Sequence, residues 1–117
     1  MAAASQGRAL VQALLSVLRD GDIARLDAIL SADCADADAM AGQLSGRAGY
    51  AQKVLWFRAM VPDARIELER VEATDTGARA AWTTHAKSFG GALHYEGDFT
   101  IRDGLICATR IIQRGPA

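Results

Sequence analysis

The stretch that decides the fold is HYEGDFTIRDGLICATRII, His94 to Ile112. Asp103-Gly104 lies between two runs rich in β-branched and aromatic residues, and because Asp and Gly reach positive φ at little cost, this is a strong hairpin signal. Side chains alternate along a strand, so His94, Glu96, Asp98 and Thr100 share one face and Leu93, Tyr95, Phe99 and Ile101 the other. Asp98 is thereby placed mid-strand, where propensity disfavours it. Either that face meets water or the carboxyl has a role inside.

Upstream, about Ala78 to Phe89 reads as a strand with Ala80, Trp82, Thr84 and Ala86 on one side and Arg79, Thr83, His85 and Lys87 on the other. Gly90-Gly91 returns it into the hairpin. The preceding strand, about Ala64 to Thr74, alternates Ile66 and Leu68 against Arg65, Glu67 and Glu69, then changes phase at Val71 and Ala73, which predicts a bulge that bends the sheet. Before Pro62, Ser45 is placed to start a helix over Gly46 to Met60, with Tyr50, Val54, Phe57 and Val61 at helical spacing and Trp56 and Met60 as a second apolar strip, all read as core. About Gln6 to Arg19 is an amphipathic helix carrying Val11, Leu14, Leu15 and Leu18 on one stripe. Gly21 ends it, and Asp22 opens a short second helix that buries Ile23, Leu26, Ile29 and Leu30.

Between the second and third helices lies CADADAM, whose alternation puts Cys34, Asp36, Asp38 and Met40 on one face. It is a short strand or an extended arm. Two carboxylates two residues apart on a buried face would repel and raise one pKa, whereas an acidic loop in solvent would not; spacing leaves both readings open. Three N-terminal helices packed on a curved, mainly antiparallel sheet make an α+β fold, with a pocket expected on the concave side.

A chain of 117 residues forms one domain, 1–117, able to bury a core without disulfides or metal. With a net charge of −1 and mixed signs it carries no basic footprint, so neither nucleic acid nor a membrane surface is expected as partner. Cys34 and Cys107 have no companions at metal-ligand spacing and read as small buried hydrophobes. There is no cofactor motif, no signal-peptide core in MAAASQGR and no membrane-length apolar run, so a soluble cytoplasmic protein without metal or cofactor is expected.

In order and spacing the chain resembles the cone-shaped fold of the nuclear transport factor 2-like superfamily, in particular ketosteroid isomerase and the SnoaL-like polyketide cyclases. VQALLSVLRDGDIARLDAIL is similar to the opening helix hairpin with its Gly-Asp pair, SGRAGYAQKVLWF to the third helix, and GDFTIRDGLICATRII to the closing hairpin. The resemblance implies Asp38 as catalytic base and Asp98 as a neutral carboxylic acid that donates a hydrogen bond to a developing enolate. It also implies a lining of Phe57, Trp82, Thr84, Ala86, Cys107, Thr109, Ile111 and Gln113 for a small, oxygenated hydrophobic ligand. The family's oxyanion tyrosine is replaced by Leu14, so one donor is missing. Asp36 and Glu67 are possible additional acids.

Three functions follow as expectations. The first is proton transfer on a hydrophobic carbonyl compound, as in an isomerase, cyclase or dehydratase. The second is epoxide opening by a carboxyl pair, Asp38 with Glu67 or Asp98, as in an epoxide hydrolase. The third is a binding or assembly module without chemistry. His85 and His94 read as surface or dimer-contact residues. Leu93, Tyr95, Phe99, Ile101, Ile106 and Ile112 are assigned to the face away from the pocket, where an uncovered apolar patch would drive homodimerisation through the sheets.

Overall fold

The computed structural model describes residues 2–116. Helix α1 (Ala2–Asp20) is followed by a 3₁₀ helix (Ile23–Ala28), strand β1 (Leu30–Asp36), helix α2 (Gly46–Met60), strands β2 (Arg65–Ala73) and β3 (Gly77–Ala86), a 3₁₀ turn (Lys87–Phe89), and strands β4 (Gly91–Arg102) and β5 (Leu105–Pro116). The strands form one sheet in the order β1-β5-β4-β3-β2, antiparallel except for β1, which runs parallel to β5. This is the α+β layer arrangement, helices on a mixed sheet, compatible with a cone. Helix α1 lies across β2 and β3, and α2 packs on β1.

Local chemistry accounts for the elements. Helix α1 starts at Ala2, earlier than the periodicity indicates, because Ala-rich sequence extends a helix without needing a buried stripe. Its end is Gly21, at φ +76° with its N–H on the Val17 carbonyl. Leu30 opens β1 instead of closing the second helix, since Ile106 N–H donates to the Ile29 carbonyl and draws the chain onto β5. The expected bulge is present in β2, where register slips between Leu68 and Arg70. At the β4–β5 turn, Asp103 and Gly104 both have positive φ, 55° and 78°, as a two-residue hairpin requires.

The faces of β4 are the reverse of the assignment to a partner copy. Phe99 and Ile106 are buried in the main core, with Tyr95 and Ile101 packed against it, beside Val11, Leu14 and Val17 of α1 and Tyr50 and Val54 of α2. Trp82 stacks on Tyr95 at 5.9 Å between centroids and tilts against Phe99 at 6.2 Å. Gly97 makes this possible, since a Cβ there would stand 2.8 Å from the Phe99 ring and 2.9 Å from that of Trp82. The helices' own apolar stripes need a partner, and this face of the sheet supplies it. The outer face instead carries ion pairs, Arg79 with Asp98, Arg70 with Glu96 and Glu72, and Arg114 with Glu96. Of the six apolar residues assigned outward, Tyr95, Phe99, Ile101 and Ile106 belong to this core, Leu93 is half-buried and Ile112 stands exposed, so most of the apolar patch invoked for a homodimer is interior.

Candidate functional site

The site forms where β1 leaves the sheet. The last rung of its parallel ladder pairs Asp36 with Thr109, and Ala37 N–H then donates to the Thr109 carbonyl at 3.0 Å. Beyond it the Asp-Ala-Asp sequence turns on its own side chain: Asp38 N–H donates to Asp36 Oδ1 at 2.9 Å, the local bond that makes Asp a turn residue. Asp36 Oδ2 accepts from Lys53 Nζ at 2.8 Å and from Gln43 Nε2 at 3.0 Å. Its side chain is 5 % exposed. Burial pushes the Asp36 pKa up, but the bonds from Lys53, Gln43 and the Asp38 amide outweigh it and hold the carboxyl below its ordinary value.

The turn sends Asp38 away from Asp36. Asp38 is exposed at the sheet edge, where its Oδ2 accepts the Ile111 N–H at 2.5 Å, extending by one side chain the edge that β1 has vacated. Its Oδ1 has no protein donor among the described residues. Lys53 bridges the two aspartates by donating also to the Asp38 carbonyl at 3.2 Å. One turn earlier on α2, the buried Tyr50 donates its hydroxyl proton to Thr109 Oγ1 at 2.9 Å, and the Lys53 ammonium lies 5.5 Å from its ring centroid. Burial, with the nearby carboxylates, pushes the Tyr50 pKa up. Lys53 and Gln43 are absent from the sequence-derived set. The readable signal was Lys53 standing three residues after Tyr50, at the rim of the helix's buried face.

Of the residues assigned to the site, Asp36, Asp38, Thr109 and Ile111 come together, Ile111 through its backbone. Leu14 and Trp82 belong to the packed main core; Ala86 is in a second cluster with Val61 and Ala64, with Phe57 against it; Thr84 is buried and Gln113 exposed. Cys107 is half-buried, and the fully buried Cys34 thiol is pushed up to about 11 by burial first and then by Cys107.

Asp98 is not brought to Asp38. It lies on the outer face, its side chain 48 % exposed, with Oδ1 2.7 Å from Arg79 Nε and Arg110 as its cross-strand neighbour. Paired with a guanidinium in water, it lacks the apolar surroundings that a neutral carboxylic acid donor needs. The cause is strand alternation: with Phe99 in the core, Gly97 and not Asp98 occupies the inward position. Glu67 is outer-face as well, 3.0 Å from His85 Nε2. His94 and Glu69 share the Thr83 hydroxyl there, each at 2.8 Å. The partners named for epoxide opening therefore lie away from Asp38. Among the described residues no three His, Cys, Asp or Glu side chains converge as metal ligands do, and no helix is long and apolar enough to cross a membrane.

The SnoaL-like domain profile matches residues 11–109. The chain belongs to the SnoaL-like domain family. No curated protein sequence matches it. Among solved structures, TsrD from Streptomyces laurentii superposes with a TM-score of 0.82 at 17 % identity, over 94 % of this chain and 89 % of that one. A SnoaL-like polyketide cyclase from Agrobacterium tumefaciens gives 0.75 at 17 % identity, over 92 % and 90 %. An NTF2-like protein of unknown function from Mesorhizobium loti gives 0.72 at 21 % identity, over 96 % and 93 %. These likenesses carry the fold, and this SnoaL-like chain has the nuclear transport factor 2-like architecture.

Proposed function

We propose that this SnoaL-like protein is a cofactor-independent acid–base enzyme of the cyclase type, moving a proton on a small hydrophobic carbonyl compound. The observation that carries the reading is the arrangement at Asp38: one oxygen is fixed by the Ile111 amide, the other is open, and the Lys53 ammonium bonds the same residue's carbonyl. Asp38 Oδ1 takes the proton from the carbon next to the carbonyl. Lys53 has three N–H donors and spends two on Asp36 and Asp38, so the third is free to bond the oxygen of the developing enolate. Asp36 is a positioning residue that holds Lys53 through a part-buried ion pair. This assigns the oxyanion role to Lys53 in place of Asp98. A SnoaL-like polyketide cyclase among the structural neighbours supports the same reaction class, because aldol-type ring closure begins with this carbon deprotonation.

The test is exchange of α-hydrogens for solvent deuterium, followed by NMR on a panel of cyclic and aryl ketones. Asp38→Asn is expected to slow exchange by about 10²–10⁴-fold, the usual contribution of a positioned base. Lys53→Met is expected to slow it by about 10²–10³-fold, as for loss of one oxyanion donor. Asp98→Asn and Glu67→Gln leave it unchanged. Exchange in Asp38→Asn as fast as in wild type overturns the assignment. Ketone binding without exchange in wild type identifies a binding module instead.

A further inference from the structure

Met60, read above as core together with Trp56, is 66 % exposed, but this apolar strip carries no charge to choose an occupant. The far half of β5 does. Strand β5 runs to Pro116, whereas β1 covers it only as far as the rung that pairs Asp36 with Thr109. There the Thr109 carbonyl accepts from Ala37, and the next N–H on that side, from Ile111, is met by the Asp38 side chain instead of a strand. Backbone groups alternate in direction along a strand, so the Ile111 carbonyl and the Gln113 N–H turn to the same side. Among the described residues neither has a hydrogen-bond partner there. Ile112, Gln113 and Arg114 are exposed, so this edge meets solvent. An unpaired sheet edge is a template for another extended chain.

The outer face of the same stretch sets the charge of that chain. Arg110, Ile112 and Arg114 line a recess of about 340 Å³ with Arg79, Glu96 and Asp98. Both carboxylates are already taken, Asp98 by Arg79 and Glu96 by Arg114 and Arg70. Arg110 forms no ion pair among the described residues, and β5 itself contains no acid. Three guanidiniums against two carboxylates leave the recess one positive charge.

We propose that this edge takes an extended acidic peptide of a partner protein, added to the sheet beside β5 beyond Asp38. Its backbone bonds Ile111 and Gln113. An added strand lies about 4.8 Å from its neighbour and turns alternate side chains over one face, so a carboxylate beside Arg110 fills the vacant partner position, a second reaches Arg114, and an apolar residue between them covers Ile112, which is 39 % exposed. Backbone pairing supplies the attachment and the arginines select the sequence. The proposal is independent of the catalytic role of Asp38, which the deuterium-exchange experiment tests by itself.

The probe is a capped heptapeptide with glutamate second and sixth, valine fourth and threonine elsewhere, titrated by ¹⁵N NMR. It is expected to shift the Gln113 amide signal and slow the exchange of that N–H with solvent. Arg110→Ala is expected to weaken the peptide by about two- to fivefold, the range of an exposed ion pair, and added salt to weaken it as well. N-methylation separates strand addition from charge attraction, because only one alternate set of peptide N–H groups faces β5. Methylating one set is expected to weaken binding by about tenfold, as for two lost hydrogen bonds, and methylating the other by little. Equal effects of the two sets overturn the proposal, as does equal binding of a peptide with lysine in place of both glutamates. Signal shifts that leave β5 untouched, or absence of binding, overturn it too.

Discussion

The end of β1 and the outer face of β4 each carry an aspartate bonded to a basic side chain, Asp36 to Lys53 at 2.8 Å and Asp98 to Arg79 at 2.7 Å. Distance does not separate the two pairs, but exposure does, 5 % for the Asp36 side chain against 48 % for Asp98. In water the attraction between two charges is screened and each partner is solvated when the other is removed. Away from water, removing one partner strands the other, so the same chemical pair becomes a strong constraint on structure. The site is built on the second kind of pair. The outer face is a set of the first kind, which keeps an open sheet surface polar.

Four measurements would sharpen or break this comparison. The largest effect is expected for Asp36→Ala, which leaves the Lys53 ammonium, 19 % exposed, with the Asp38 carbonyl and without its carboxylate partner, and is expected to cost about 3 kcal/mol in urea unfolding. Adding Lys53→Met to it should restore part of the loss, and a double variant as unstable as the single one would show that the charge left behind is not the cause. Next, Thr109→Val removes the acceptor of the buried Tyr50 hydroxyl and is expected to cost about 1–3 kcal/mol by the same measurement.

Third is pH dependence. Asp36 titrates lower in the folded state than its ordinary 3.8, so below that value the unfolded chain takes up the proton first. Its contribution is complete above 3.8 and is lost as pH falls through the lowered folded value. Unfolding midpoints measured down this range should drop less steeply in Asp36→Asn than in wild type, and an equal slope would remove Asp36 from the account. The smallest effect is expected for Asp98→Asn, which should leave the midpoint in place at neutral pH; a clear loss there would mean that the outer face is covered.

Much of the fold was legible because its signals are local. Asp103-Gly104 announced the hairpin through the φ values those residues tolerate, the phase change near Val71 announced the β2 bulge, and the 3.6-residue stripe of Val11, Leu14, Leu15 and Leu18 announced α1. The site was legible in part. Asp38 and Asp36 stood out as acids in an alternating run, but the turn that separates them depends on Asp36 bonding the Asp38 amide, which alternation alone does not reveal. Asp98 was drawn inward by resemblance against its own neighbours, since Phe99 beside it had the stronger claim on the interior.

By itself, then, the sequence determined the helices, the four strands from β2 to β5, their order and the two faces of each of those strands, because backbone preference and side-chain alternation act between near neighbours, while β1 was left open between strand and arm. Only the tertiary structure decided which face the helices cover and which carboxylate meets the lysine. Asp36 and Lys53 are 17 residues apart and Asp38 and Ile111 are 73 apart, so their meeting depends on how α2 and β5 pack around β1.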